Sequence, residues 1–205
     1  MISSISELPE TCQDGFDYAN QVALGELDVC FFVKAAVDRF FGDLERAEMN
    51  GPYFLDFEAA DRAMRFCQKM PHIKGPEAGH NLSLAPWQKF IFLNVFGWKV
   101  RATGFRRFKK VYTEIPRGNG KSTMVAPIAL YMLAADREGG AEVYSAAVTR
   151  DQARIVFSAA RAMAQRRARF LKSAGVAIFN HSIAQDNTSS LFQPLSADAR
   201  SLDGL

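Results

Sequence analysis

The stretch Ile115-Pro116-Arg117-Gly118-Asn119-Gly120-Lys121-Ser122-Thr123 holds the residue types that phosphate chemistry needs. Gly118 and Gly120 let the backbone curl so that successive N–H groups face an anion. Lys121 is a flexible point charge for β- and γ-phosphates. The Ser122 hydroxyl is a suitable Mg²⁺ ligand. Arg117 carries a forked guanidinium that fits phosphate and could stabilise charge on a transferring γ-phosphoryl group. The reading is an ATP- and Mg²⁺-binding loop. Lys121 and Arg117 are its catalytic candidates, Arg117, Gly118, Asn119, Gly120, Lys121, Ser122 and Thr123 its nucleotide-binding candidates, and Ser122 its metal ligand. The match departs from G-x-x-x-x-G-K-[ST], because Ile115 stands where the first glycine belongs. The alternative is a basic turn with a solvated lysine. Upstream, Trp87-Gln88 pairs an aromatic that can stack on adenine with an amide that can hydrogen-bond its edge. Taken alone, Trp87 reads more readily as a core aromatic, since large aromatics are usually buried.

Such a loop works only between a strand and a helix. Phe108 to Ile115 (FKKVYTEI) is strand-like by its aromatic and β-branched content, and an apolar helix follows the loop to about Ala135. Pro127 lies inside that helix, where it removes a backbone hydrogen bond. Glu142 to Val148 reads as a second strand. Thr149 caps a long helix to about Leu171, with Gln152 as its capping-box partner. Val176–Asn180 and Leu191–Leu195 are further strand candidates. Alternating strands and helices imply an α/β fold with a parallel sheet. Before the loop, residues 1–19 read as a loose polar terminus. A helix is expected from about Gln21 to Met49, with Phe32, Val33, Val37 and Phe40 packing inward. A second helix is expected from Phe57 to Met70, with Asp56 as N-cap. The Pro- and Gly-rich stretch from Pro71 to Pro86 reads as a loop, and a further helix is expected from Pro86 through Trp98. The expected organisation is an acidic, mainly helical segment at 1–85 and an α/β domain at 86–205.

Charge divides the chain. It carries 25 Lys+Arg and 22 Asp+Glu, yet residues 1–62 hold 13 acidic and 4 basic side chains while residues 63–205 hold 9 and 21. Basic residues cluster at Lys99–Lys121 and at Arg150–Lys172, as a surface that attracts nucleotide phosphates or a nucleic-acid backbone does. The alternative for the second cluster is a solvated helix face. The uncharged run Ser122–Ala135 is too short to span a membrane, which takes about 18 residues. Cys12, Cys30 and Cys67 share no metal-ligand spacing and read as free thiols in a reducing cytoplasm.

From about Ala19 to Leu205 the chain resembles the large subunit of tailed-bacteriophage DNA-packaging terminases. The resemblance rests on GPYF at Gly51, LAPWQKFIFLNVFGW at Leu84, GFRRF at Gly104, IPRGNGKST at Ile115, AEVYSAAVTRDQARIVF at Ala141 and LSADARSLDGL at Leu195. The form Arg117-x-x-Gly120-Lys121-Ser122 is similar to that family's variant phosphate loop, which accounts for the missing first glycine. Gln88 looks like its adenine-recognising glutamine. The resemblance implies a P-loop NTPase core of the additional-strand type, preceded by a helical segment. It implies a motor that couples ATP hydrolysis to translocation of double-stranded DNA into a procapsid, in the cytoplasm of a bacterial host. It further implies a portal protein and a small terminase subunit as partners, ring self-association, no membrane, and a nuclease in full-length relatives. The chain departs from the family in one respect. The acidic residues after the loop (Asp136, Glu138, Glu142, Asp151, Asp186, Asp198 and Asp203) include no Asp-Glu pair closing an apolar strand. The expectation is therefore an incomplete ATPase core, truncated before the strand that bears its acid pair, which binds nucleotide without turning it over. Two alternatives stand beside it: a non-catalytic remnant of a disrupted prophage gene, and another P-loop translocase or helicase-like NTPase.

Overall fold

The computed structural model describes residues 8–196. The chain divides into two compact units, Met1–Arg65 with Leu84–Glu114 and Phe66–Ser83 with Ile115–Leu205.

The first unit is built on helices. Its α1 spans Glu10–Ala23 and α2 spans Phe31–Glu48. The terminus expected to be loose therefore forms a helix from residue 10, and the single helix expected over 21–49 is broken at 24–30. Cys12, Phe16, Ala19 and Val22 recur at helical spacing and are buried, which is the apolar stripe that holds α1 in place. Strand β1 (Tyr53–Leu55) follows, then α3 (Phe57–Gln68), where the Ala59 N–H donates to Asp56 Oδ1 at 2.9 Å as the expected N-cap. Helix α4 (Pro86–Phe92) is short. A π-helical turn at Leu93–Gly97 ends it, and Trp98–Val100 becomes β2, antiparallel to β1 with Leu55 opposite Trp98. The helix expected to run through Trp98 thus yields to strand pairing. Aromatic side chains fill the core: Phe40 lies edge-on to Phe90 at 5.3 Å, to Phe16 at 6.1 Å and to Trp98 at 6.1 Å. Of the α2 residues expected to pack, Val37 and Phe40 are fully buried, but Phe32 is 80% exposed.

The second unit carries α5 (Lys121–Ala134), β3 (Glu142–Ala147), α6 (Arg150–Arg166), α7 (Ala168–Ser173), β4 (Val176–Ile178), β5 (Ile183–Gln185) and β6 (Ser190–Ser196). The sheet order is β3-β6-β5-β4. β3 and β6 are parallel, with Glu142 opposite Leu191, while β6–β5 and β5–β4 are antiparallel. The expected parallel sheet is therefore mixed. The links β4–β5 and β5–β6 are four residues each, too short for the crossover that parallel neighbours need. The expected helix cap is present, with the Gln152 N–H donating to Thr149 Oγ1 at 3.3 Å, but the helix expected to reach Leu171 breaks at Arg167. Leu130, Tyr131, Leu133, Phe157, Met163, Leu171, Ile183 and Phe192 form the core. Pro127 lies inside α5 as expected.

Phe108 to Ile115 is the main departure from expectation. The segment joins no ladder among the described residues, Val111 is exposed, and Tyr112 is 89% exposed. Strand-like composition describes side chains that fit a pleated surface, but a strand also needs a neighbour for its N–H and C=O groups.

Candidate functional site

The glycine loop lies in the second unit, between the extended segment and α5. Gly118 (φ 88°) and Gly120 (φ 72°) both take left-handed backbone, which explains glycine at these two positions. Gly120 is the N-cap of α5, and the Met124 N–H donates to its carbonyl at 2.9 Å. The helix therefore opens with Lys121, Ser122 and Thr123, whose N–H groups belong to the first turn and have no intrahelical acceptor. The positive end of the α5 dipole lies at the same place. Residues 116–121 are exposed, while Ser122 and Thr123 are half-buried. The Asn119 side-chain amide donates to the Pro116 carbonyl at 3.5 Å, and Lys121 Nζ donates to the Ile115 carbonyl, so the lysine folds back across its own loop. Arg117 is exposed. Two cations and no carboxylate occupy residues 115–123. This is an open, cationic, donor-rich turn that suits a phosphate chain. Ser122, one of two hydroxyls here beside Thr123, is of a type that suits Mg²⁺, which commonly takes one or two protein ligands and completes its shell with phosphate and water.

Trp87 and Gln88 belong to the first unit, at the start of α4. Both are half-buried. Gln88 Oε1 accepts from the Ala85 N–H at 2.9 Å and so caps its own helix.

The basic clusters prove to be partly structural. Arg161 donates to the Phe179 carbonyl at 2.9 Å and to Asn180 Oδ1 at 2.7 Å. Arg166 donates to the His72 carbonyl at 2.7 Å, and Arg167 to the Lys69 carbonyl at 2.9 Å and to Asn81 Oδ1. In the first unit Arg101 holds the carbonyls of Gly51, Ala47 and Tyr53. Lys109 and Lys110 are exposed. Among the described residues no group of three or more His, Cys, Asp or Glu side chains could hold a metal ion, and no helix is long and apolar enough to cross a membrane.

Sequence reasoning missed one constellation. Asp43, almost fully buried, receives Arg39 at 3.0 Å, Arg46 at 2.5 Å and Arg107 at 2.6 Å. Arg39 and Arg107 also stack on Phe108, at 4.6 and 4.8 Å from its ring centre. The spacing of Arg39 and Arg46 about Asp43 on one helix was a legible signal. Arg107, from a distant part of the sequence, was not.

A sheet flanked by helices, with a glycine loop feeding a helix N-terminus, defines a P-loop α/β protein. More particularly, residues 86–205 match the family model of the terminase large subunit, ATPase domain, and the chain belongs to that family. The crystal structure of the HK97 bacteriophage large terminase is similar in fold, with a TM-score of 0.56 and 23% identity over 71% of this chain. The chain spans 29% of that terminase's length. No curated protein sequence matches it. The last of the motifs carrying the resemblance lies, from residue 197 onward, outside the described residues.

Proposed function

We propose that this chain is the ATP-binding part of a DNA-packaging motor and that it binds ATP–Mg²⁺ at Arg117–Thr123. The observation that carries this reading is the exposed loop with two left-handed glycines delivering Lys121 and Ser122 to the N-terminus of α5. In this reading the loop and helix N–H groups cradle the phosphates. Lys121 leaves the Ile115 carbonyl for the β- and γ-phosphates, Arg117 braces the γ-phosphate, and Ser122 ligates the metal. For Gln88 and Trp87 the base-recognising role comes from the family resemblance. The metal, when bound, neutralises phosphate charge, and this chain's part is to bind and orient the nucleotide.

The same reading makes binding separable from turnover. Hydrolysis needs a carboxylate that positions water and holds the metal. None of the acidic residues after the loop forms an Asp-Glu pair at the end of an apolar strand. The chain alone is therefore expected to bind ATP without measurable hydrolysis, and DNA-stimulated turnover by the purified chain would refute this. Double-stranded DNA, a portal protein, a small terminase subunit and ring assembly in a bacterial cytoplasm are the proposed setting, by family membership.

The direct test is calorimetric titration of ATP–Mg²⁺ into the chain and into Lys121→Ala. Loss of one charge-assisted contact to phosphate should weaken binding about 30-fold. Equal affinity in the two proteins would sink the proposal.

A further inference from the structure

The turn between α1 and α2 exposes more apolar surface than the packing of the first unit explains. Within nine residues Leu24 is 73% exposed, Phe31 76% and Phe32 80%, and Leu27 and Cys30 are exposed too. The two phenyl rings stack edge to face at 5.6 Å. The core takes Val37, Phe40 and Leu44 from further along α2, so the phenylalanines at its start are not needed there. Large apolar side chains left exposed together at one turn mark an interaction site.

Charge selects the occupant. Glu26, Asp28 and Asp38 are exposed around the patch, and Lys34 is the one basic side chain in residues 24–38. Two such acidic patches repel, which disfavours a second copy meeting face to face. An anionic lipid surface is repelled for the same reason. We propose that this turn docks a basic amphipathic helix of a partner protein. That helix would lay apolar side chains at i, i+3/i+4 and i+7 over Leu24, Leu27, Phe31 and Phe32, with Lys or Arg flanks meeting Glu26, Asp28 and Asp38. The surface lies in the first unit and stands independently of the nucleotide reading.

The probe is a synthetic amphipathic Leu/Lys peptide of about four turns. Controls are a Leu/Glu peptide of identical spacing and vesicles of phosphatidylcholine with phosphatidylglycerol. Cys30 provides a footprint. Cys12 is buried and its thiol is pushed up to about 11, first by burial and then by the Asp61 charge, and burial raises the Cys67 thiol as well. Alkylation at neutral pH therefore selects Cys30. The Leu/Lys peptide is expected to bind the full chain and slow Cys30 alkylation. The double variant Phe31→Ser/Phe32→Ser should weaken that binding about tenfold or more while keeping the wild-type circular dichroism spectrum. Glu26→Lys/Asp28→Lys should weaken it as well. The proposal is overturned if the serine variant binds equally well, or if it loses its fold. Equal binding of the Leu/Glu peptide, adsorption to the vesicles through these residues, or a dimer in sedimentation that the serine variant abolishes would overturn it too.

Discussion

Asp43 shows how a single carboxylate organises a patch of like charge. Burial alone would raise its pKa, but hydrogen bonds from Arg107 and Arg46 and the charges of Arg107 and Arg39 outweigh burial, and the group titrates below the usual carboxylate range. A depressed native pKa means that the unfolded chain binds more protons. The stability contributed by Asp43 is then complete above an ordinary carboxylate pKa, about 3.9, and is lost as pH falls through the lower native value. Asp43→Asn should cost about 3 kcal/mol at neutral pH in urea unfolding, because three guanidinium groups lose their common partner. The variant should also lack part of the stability loss that the natural chain shows below pH 4. Parallel pH profiles of the two proteins would refute the assignment.

At the scale of elements, α1 and α4 approach closely at Gly15. A Cβ there would lie 2.8 Å from the Lys89 carbonyl carbon and 2.9 Å from the Phe90 nitrogen, both backbone atoms that cannot step aside. Gly15→Ala should therefore destabilise the first unit by about 2 kcal/mol in thermal or urea unfolding. A neutral result would show that the two helices have room to separate. Legibility in the sequence follows the range of the interactions involved. Helices α3 and α5 and the start of α6 follow from local pattern and caps, Asp56 and Thr149 among them. The glycine loop was legible for the same reason: its residues are contiguous, and the helix it feeds is apolar. Strand β5 was not legible, because three residues carry too little pattern. Phe108–Ile115 was misread in the opposite sense, with the composition of a strand but no partner among the described residues. The Arg107–Asp43 pair depends on tertiary folding that no local spacing records.

For the whole molecule, the unpaired segment at 108–115 matters more than any local defect. Val111 and Tyr112 are exposed beside backbone groups that lack a ladder, which is a template for association. The isolated chain is expected to associate with rising concentration in sedimentation experiments. Val111→Lys with Tyr112→Lys should suppress that association, as charged residues on natural strand edges do. A sharp cooperative melt of a strictly monomeric wild-type chain would contradict this. Arg161, Arg166 and Arg167, described above as clasping carbonyls, bear on the chain's encounter with any polyanion. A guanidinium that spends its N–H groups on its own backbone still adds to the long-range field. Held against those carbonyls, it has fewer N–H groups left to offer a phosphate than a free side chain has. The salt sensitivity of such an encounter should therefore report freely exposed heads such as Lys109 and Lys110, and it should fall well short of what the formal charge of the basic half would suggest.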